Sequence, residues 1–198
     1  MSVEFIRGPN VYLRETIAAD LTNIKDCLID WAQLPFSIDE TKKVLKGALI
    51  QMRFIRRPYT DTSKFTETFT VCKVSDNSFI GFMQYKIAEG REVTLRWNAC
   101  LPALRGQGLM NEAAKLIDAA VFTELKCNTF HDKQDAPFIT GARPYQTIVG
   151  TELSKRSNRT LNIVKATKED YDTWAAANSS SIPAYTFSGG SYTPPQDR

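Results

Sequence analysis

The chain has one histidine, no two cysteines at C-x-x-C spacing and no run of 18 apolar residues. Each absence excludes something. With a lone His131 and isolated Cys27, Cys72, Cys100 and Cys127, no zinc constellation forms, and no metal cofactor is expected. The thiols read as small buried hydrophobes in a reducing compartment. The N-terminal MSVEFIRGPN lacks the apolar core of a signal peptide. A cytoplasmic protein without membrane contact is therefore expected, in which the sequons at Asn158 and Asn178 carry no meaning. A net charge of +3 is too small to argue for nucleic acid, and none is expected as a partner. The string G-x-x-x-x-G-K-[ST] is absent, which removes a P-loop. A dinucleotide fingerprint fails because Asn111 stands where its third glycine belongs.

What is present is an ordinary globular composition, 42% apolar and 24% charged over 198 residues, enough for one self-sufficient core. We expect a single domain over 1–178 and a Gly/Ser/Pro-rich tail over 179–198, ending SGGSYTPPQDR. Such a tail does not fold alone, so a protein partner is the physical means of ordering it.

Apolar spacing predicts the elements. VYLRET (11–16) reads as a strand. Leu21, Ile24, Leu28, Trp31 and Ala32 form a helical stripe that Pro35 stops, and a second helix runs through SIDETKKVLKGALIQMRF. TFTVCKV (68–74), FIGFMQYKI (79–87) and VTLRWNACL (93–101) read as a meander, the last with Val93, Leu95, Trp97, Ala99 and Leu101 on one face. A helix follows, with Leu109, Met110, Ala113, Ala114, Ile117, Ala120 and Val121 as its apolar stripe and Asn111, Glu112, Lys115 and Asp118 opposite. KCNTFH (126–131) and TLNIVKA (160–166) are strands. Residues 137–155 are ambiguous, with a helix over PYQTIVGTEL as the reading on offer, and TKEDYDTWAAA is a short helix capped by Thr167.

The feature that points to chemistry is LRGQGLMNEA (104–113). Two glycines one residue apart open a helix behind Arg105. A helix N-terminus presents unpaired N–H groups and a partial positive charge, and glycines let an anion approach the backbone closely.

In this setting the chain resembles the GNAT (GCN5-related N-acetyltransferase) superfamily. The signature R/Q-x-x-G-x-G/A is matched by Arg105, Gly106, Gln107, Gly108, Leu109 and Met110, and the order of elements over 11–131 agrees. Met110 departs from the strict ending, but G-x-G-h-M-x-E-A is similar to the branch that acetylates protein N-termini and ribosomal proteins. The resemblance implies an α+β fold, a mixed and mostly antiparallel sheet flanked by helices. It implies acetyl-CoA as cosubstrate, with the pyrophosphate on residues 105–110 and the pantetheine arm along Ala99, Cys100 and Leu101. It also implies direct attack by an amine of a protein or small molecule, with a backbone N–H near Cys100 or Leu101 polarising the thioester, so Cys100 is not required as a nucleophile.

For the proton transfers the resemblance points to Glu92 as base and Tyr145 as acid. His131 reads as a satisfied strand-end histidine. Family members often carry an Asn, a Ser and an E-x-x-GF ending over 131–150; HDKQDAPFITGARPYQTIVGTEL has no such ending. Arg53, Arg56 and Arg57 lie beside the expected acceptor groove, as an attraction for acidic acceptors or as a solvated helix end. A second reading follows from the departure and the tail: the same fold without catalysis, serving as a structural or binding module in a larger assembly such as a virus particle.

Overall fold

Among the described residues nine strands form one sheet, and the strand that leads into the glycine turn is the fourth of them in spatial order. The computed structural model describes residues 3–32, 35–45, 65–135, 143–153 and 159–189. Its strands are β1 (Glu4–Arg7), β2 (Val11–Glu15), β3 (Phe65–Lys73), β4 (Phe79–Ala88), β5 (Glu92–Cys100), β6 (Thr129–Asp135), β7 (Thr147–Leu153), β8 (Thr160–Thr167) and β9 (Thr186–Phe187). They lie in the order β7-β8-β6-β5-β4-β3-β2-β1-β9. All neighbours are antiparallel except β5 and β6. The fold is the mixed, mostly antiparallel α+β arrangement expected.

Helices cover both faces. On one, α1 (Leu21–Ala32) and α2 (Ile38–Leu45) bring Leu21, Ile24, Leu28 and Leu45 onto Phe82 and Ala99. On the other, α3 (Leu109–Ala119) lays Leu116 and Ile117 against a core that includes Phe5, Phe69, Val71 and Tyr85. Each such side chain contributes about 1.5–3 kcal/mol on full burial, so these stripes hold the helices in place. A π-helical turn, in which the Leu125 N–H donates to the Ala120 carbonyl at 2.9 Å, extends α3. The helix α4 (Lys168–Ala177) begins at Thr167, whose hydroxyl accepts the Asp170 N–H at 3.1 Å while Asp170 answers the Thr167 N–H. Ser37 and Glu40 form the same reciprocal cap for α2.

Four expectations change. PYQTIVGTEL is not a helix: its residues 147–153 form β7. Thr147, Ile148, Val149 and Thr151 are β-branched and Gly150 interrupts them, a composition that disfavours helix and suits a sheet edge. EFIR, unassigned from the sequence, is β1, and Thr186–Phe187 pairs with it as β9. The face assigned to VTLRWNACL breaks midway, because β5 carries a bulge. Tyr85 pairs with Leu95 but Gln84 with Trp97, leaving Arg96 as the extra residue. Val93 and Leu95 consequently pack on the α3 side and Ala99 and Leu101 on the α1 side. Finally Asp118, expected on the polar side of α3, is fully buried. The end of the predicted second helix, with Arg53, Arg56 and Arg57, and tail residues 190–198 lie outside the described residues.

At Gly81, opposite Cys100, a Cβ would meet the Ala99 carbonyl oxygen at 2.2 Å and the Cys100 Cα at 2.8 Å. Both are backbone and cannot swing aside. Gly81→Ala is expected to destabilise the fold by about 1–3 kcal/mol, the usual range for overpacking, read as a lower urea midpoint.

Candidate active site

Two strands separate beside the glycine turn. β5 and β6 run parallel and pair only from Glu92↔Thr129 to Thr94↔His131. Beyond that rung β6 continues to Asp135 against β8 alone, while β5 continues to Cys100 against β4. The β5 bulge falls where the ladder ends, since an extra residue bends and twists the strand that carries it. The Leu101 N–H donates to the Ile80 carbonyl at 2.9 Å. By the alternation of an antiparallel strand, the Cys100 N–H then points to the side that β6 has left. Ala99 is buried beneath α1, and Cys100 is half-buried.

The open end of this gap meets residues 105–110. Gly106 has φ +75° and Gly108 φ +77°, the left-handed region that favours glycine. A Cβ on either would meet nothing within 4 Å. These glycines therefore serve backbone conformation beside open space rather than relieving a tight contact. Gly108 caps α3 without a side-chain hydrogen bond, leaving the first N–H groups of the helix uncapped. This is a fit for an anion such as a pyrophosphate. Arg105 is exposed and ion-paired with Asp30 of α1, which raises its pKa. Leu109 and Met110 are half-buried and Gln107 is exposed, its amide Nε2 donating to the Ala103 carbonyl at 3.3 Å.

Glu112, next on the helix, is occupied elsewhere. Its Oε1 accepts the Asn10 N–H at 2.9 Å and the Val11 N–H at 3.2 Å, and its Oε2 the Asn10 side-chain amide at 2.8 Å. The β1–β2 turn is thus fastened to the first turn of α3. Gly8 permits the approach: a Cβ there would lie 2.9 Å from Glu112 Oε1 and from a Leu116 methyl.

The acid and base candidates fall in different surroundings. Glu92 is exposed on the first of the three rungs, two before the last. His131 occupies the last rung. Phe130 and Asp132 point toward α3, so alternation turns His131 to the opposite face with Lys133 and Lys165. No hydrogen bond to its imidazole is present among the described residues. Tyr145 lies on a turn rather than a helix, 7% exposed, in edge contact with Tyr171 and beside Trp174. Its hydroxyl donates to Asp118 Oδ2. Burial, reinforced by Asp118, pushes the phenol well above its usual pKa.

Tyr145 belongs to a buried network that the sequence did not announce. Arg143 donates from Nε to Asp118 Oδ2 at 2.6 Å and from Nη1 to Asp132 Oδ2 at 3.0 Å, with its guanidinium 4.8 Å over the Phe130 ring. Gln134 adds a bond to Asp132 at 3.1 Å and one to Gln146 at 2.9 Å. α3, β6 and the 143–146 turn are joined by this one guanidinium. Desolvation pushes both carboxyls above the usual range and Arg143 opposes it without cancelling it. One signal existed in the sequence: Asp118 lies four residues after Ala114 and three before Val121, both on the apolar stripe. Among the described residues no cluster of His, Cys, Asp and Glu could hold a metal ion, and no helix is long and apolar enough to cross a membrane.

No family model matches this sequence, and no curated protein matches it. Solved structures do match in fold. A GNAT-family acetyltransferase from Bacillus anthracis superposes with a TM-score of 0.63 at 13% identity, over 83% of this chain and 99% of that one. A probable GNAT-family acetyltransferase from Chromobacterium violaceum gives 0.61 at 19%, over 86% and 88%. Spermidine N-acetyltransferase from Vibrio cholerae, solved with CoA and spermine, gives 0.57 at 13%, over 81% and 97%. The chain has a GNAT-like fold.

Removing Arg143 would leave Asp118 and Asp132 buried without a cation. Arg143→Met is expected to cost about 3–5 kcal/mol at neutral pH. Because both carboxyls already have raised pKa values in the folded state, their favourable contribution is greatest at low pH and is lost as pH rises through those values. Without Arg143 they rise further, so the deficit should shrink on acidification. Urea melts of the two proteins across pH would show this; a deficit that grows in acid would contradict it.

Proposed function

We propose that this chain transfers the acetyl group of acetyl-CoA to a primary amine of a protein or small molecule, by direct attack. One observation carries the reading: β5 parts from β6 after Thr94, and the opening leads to left-handed Gly106 and Gly108 at an uncapped helix. The B. anthracis and V. cholerae structures have the same fold, and the latter binds CoA.

In this reading residues 105–110 take the pyrophosphate through backbone N–H groups, and Arg105 adds charge once it leaves Asp30. The parted edge of β5, at Ala99, Cys100 and Leu101, receives the pantetheine arm. With the Leu101 N–H already bound to Ile80, the Cys100 N–H is the donor for a developing oxyanion. The amine nitrogen bonds to the acyl carbon, the carbon–sulfur bond breaks, and the amine's proton must leave. His131, on the last rung, stands nearer the parting of the strands than Glu92, two residues back along the ladder. We assign it the proton and keep Glu92 as the outer acceptor. Tyr145 would have to release Asp118 before it could protonate a thiolate.

The spermine bound by the V. cholerae enzyme is a polycation. Here Lys165 pairs with His131 across the β6–β8 ladder, and Lys133 on the same face is ion-paired with Glu152. The charge of Lys165 there disfavours a polyamine and favours an amine in neutral or acidic surroundings, such as a protein N-terminus. The sequestration of Tyr145 and the commitment of Arg105 to Asp30 support the second reading, a fold retained as a structural module.

Calorimetry with acetyl-CoA separates the two. Enthalpic binding that Gly108→Glu abolishes is the expected result; no binding by the folded protein would favour the structural reading. If it binds, His131→Gln should lower kcat by about 10²–10⁴-fold, the usual worth of a general base, with cofactor affinity unchanged. Glu92→Gln should have the smaller effect. The reverse order would move the proton to Glu92.

A further inference from the structure

Helix starts in this chain are handled in two ways. α2 and α4 open with reciprocal caps, in which Ser37 with Glu40 and Thr167 with Asp170 spend side chains on the first N–H groups of their own helices. α3 opens differently. Gly108 brings no side chain to the cap, and Glu112, the carboxylate of the first turn, reaches instead to the Asn10 and Val11 N–H groups. The helix's own donors stay open.

That arrangement answers a conflict. A helix start without a cap frays, whereas an anion site needs donors that are both unoccupied and held still. In the first turn Leu109 and Met110 reach the core but are only half-buried, and Asn111 is exposed. Arg105 ties the preceding turn to Asp30 of α1, a link that gives way once a phosphate claims the guanidinium. Glu112 makes a tie for which no phosphate competes. Given the acetyl-CoA reading on which this rests, we propose that Glu112 is a positioning residue for the cofactor. By clamping the β1–β2 turn it holds the start of α3 still while leaving its N–H groups to the pyrophosphate.

The bonds suit that role. Oε1 takes two backbone N–H groups and Oε2 the Asn10 side-chain amide, so the carboxylate is fixed from two directions. Bonds to an ionised acceptor are stronger than neutral ones. The anchor is itself stiff. The Gly8 N–H donates to the Val11 carbonyl at 2.8 Å and closes the turn, and the Val74 N–H donates to the Asn10 carbonyl at 2.8 Å and ties it to the end of β3. Val11 is fully buried, as is Leu116, one helical turn beyond Glu112. The clamp thus extends a contact that the core has already made. The alternative is that Glu112 acts only by its charge on the helix dipole. Charge and clamp separate on substitution.

Calorimetric titration of the full chain with acetyl-CoA, well below its melting temperature, makes the test. Glu112→Ala removes the clamp and should weaken binding about tenfold, the cost of fixing one backbone residue anew on binding. Glu112→Gln keeps an oxygen for the two backbone N–H groups and, with the Asn10 amide turned over, a third bond; it should bind within about twofold of wild type. Asn10→Ala should weaken binding in the wild-type background and add nothing to Glu112→Ala, since both act through one contact. A merely structural role would lower the melting temperature of the Ala variants and leave the affinity of the folded protein unchanged, and that result overturns the inference. So does any outcome in which Gln and Ala move together, because charge alone would then decide. No binding by wild type sinks the acetyl-CoA reading and the clamp's purpose with it, whereas wild-type binding that ignores Glu112→Ala sinks the clamp alone.

Discussion

A strand in the middle of a sheet must satisfy its backbone on two sides, and β5 does so for only three rungs on its β6 side. From Leu95 onward that edge is surrendered, and much of the surrounding structure maintains the surrender. On the β4 side, Gly81 lets the bulged strand come close enough to keep its other ladder. On the far side, Arg143 draws β6 toward α3 through Asp132 and Asp118. At the open end, α3 is set in place by Glu112 gripping the β1–β2 turn. Paired strands would lower the backbone's free energy, so the gap persists because the pieces on each side are better held where they are.

The network around Arg143 has two carboxylates for one guanidinium in a buried setting. Desolvation makes such a cluster a poor source of stability compared with apolar side chains of the same volume. Its value lies in direction. A guanidinium offers donors at fixed angles, so it specifies where α3, β6 and the 143–146 turn stand relative to one another. An apolar cluster of Leu and Val would tolerate sliding. Asp20 shows the contrasting case: burial pushes its carboxyl up, but Arg14, the Ile17 N–H and Thr70 together bring it below the usual value.

Sequence periodicity carried the meander, α1, α3 and α4 because each buries a stripe whose spacing is local. The glycine turn was legible for the same reason: positive φ at Gly106 and Gly108 is a property of a few adjacent residues. Reading failed where the cause lies far along the chain. Nothing near Val93 announces that Arg96 will bulge, because the bulge answers the loss of β6. Asp118 looks polar until Arg143, on another element, arrives to meet it. PYQTIVGTEL has the apolar spacing of a helix, and its β-branched content decides for a strand only once β8 is available as a partner. Of the candidate site, the left-handed conformation of the glycine turn could be read directly. Where the ionisable candidates stand depended on which face each residue takes.

The pairing of β1 with both β2 and β9 joins the earliest described residues to the latest. Phe187 sets its ring 5.2 Å from Phe5, and the Ser188 N–H donates to the Phe5 carbonyl at 2.8 Å. As the chain leaves the ribosome, β1 can pair with β2 at once, but α3 must arrive to secure that hairpin and β9 to close its outer edge. Folding during synthesis is thus a sequence of waits, with the first strand finished last. A ribosome stalled before residue 186 presents a sheet whose β1 edge is still bare, and that interval is when the nascent chain has most use for a chaperone.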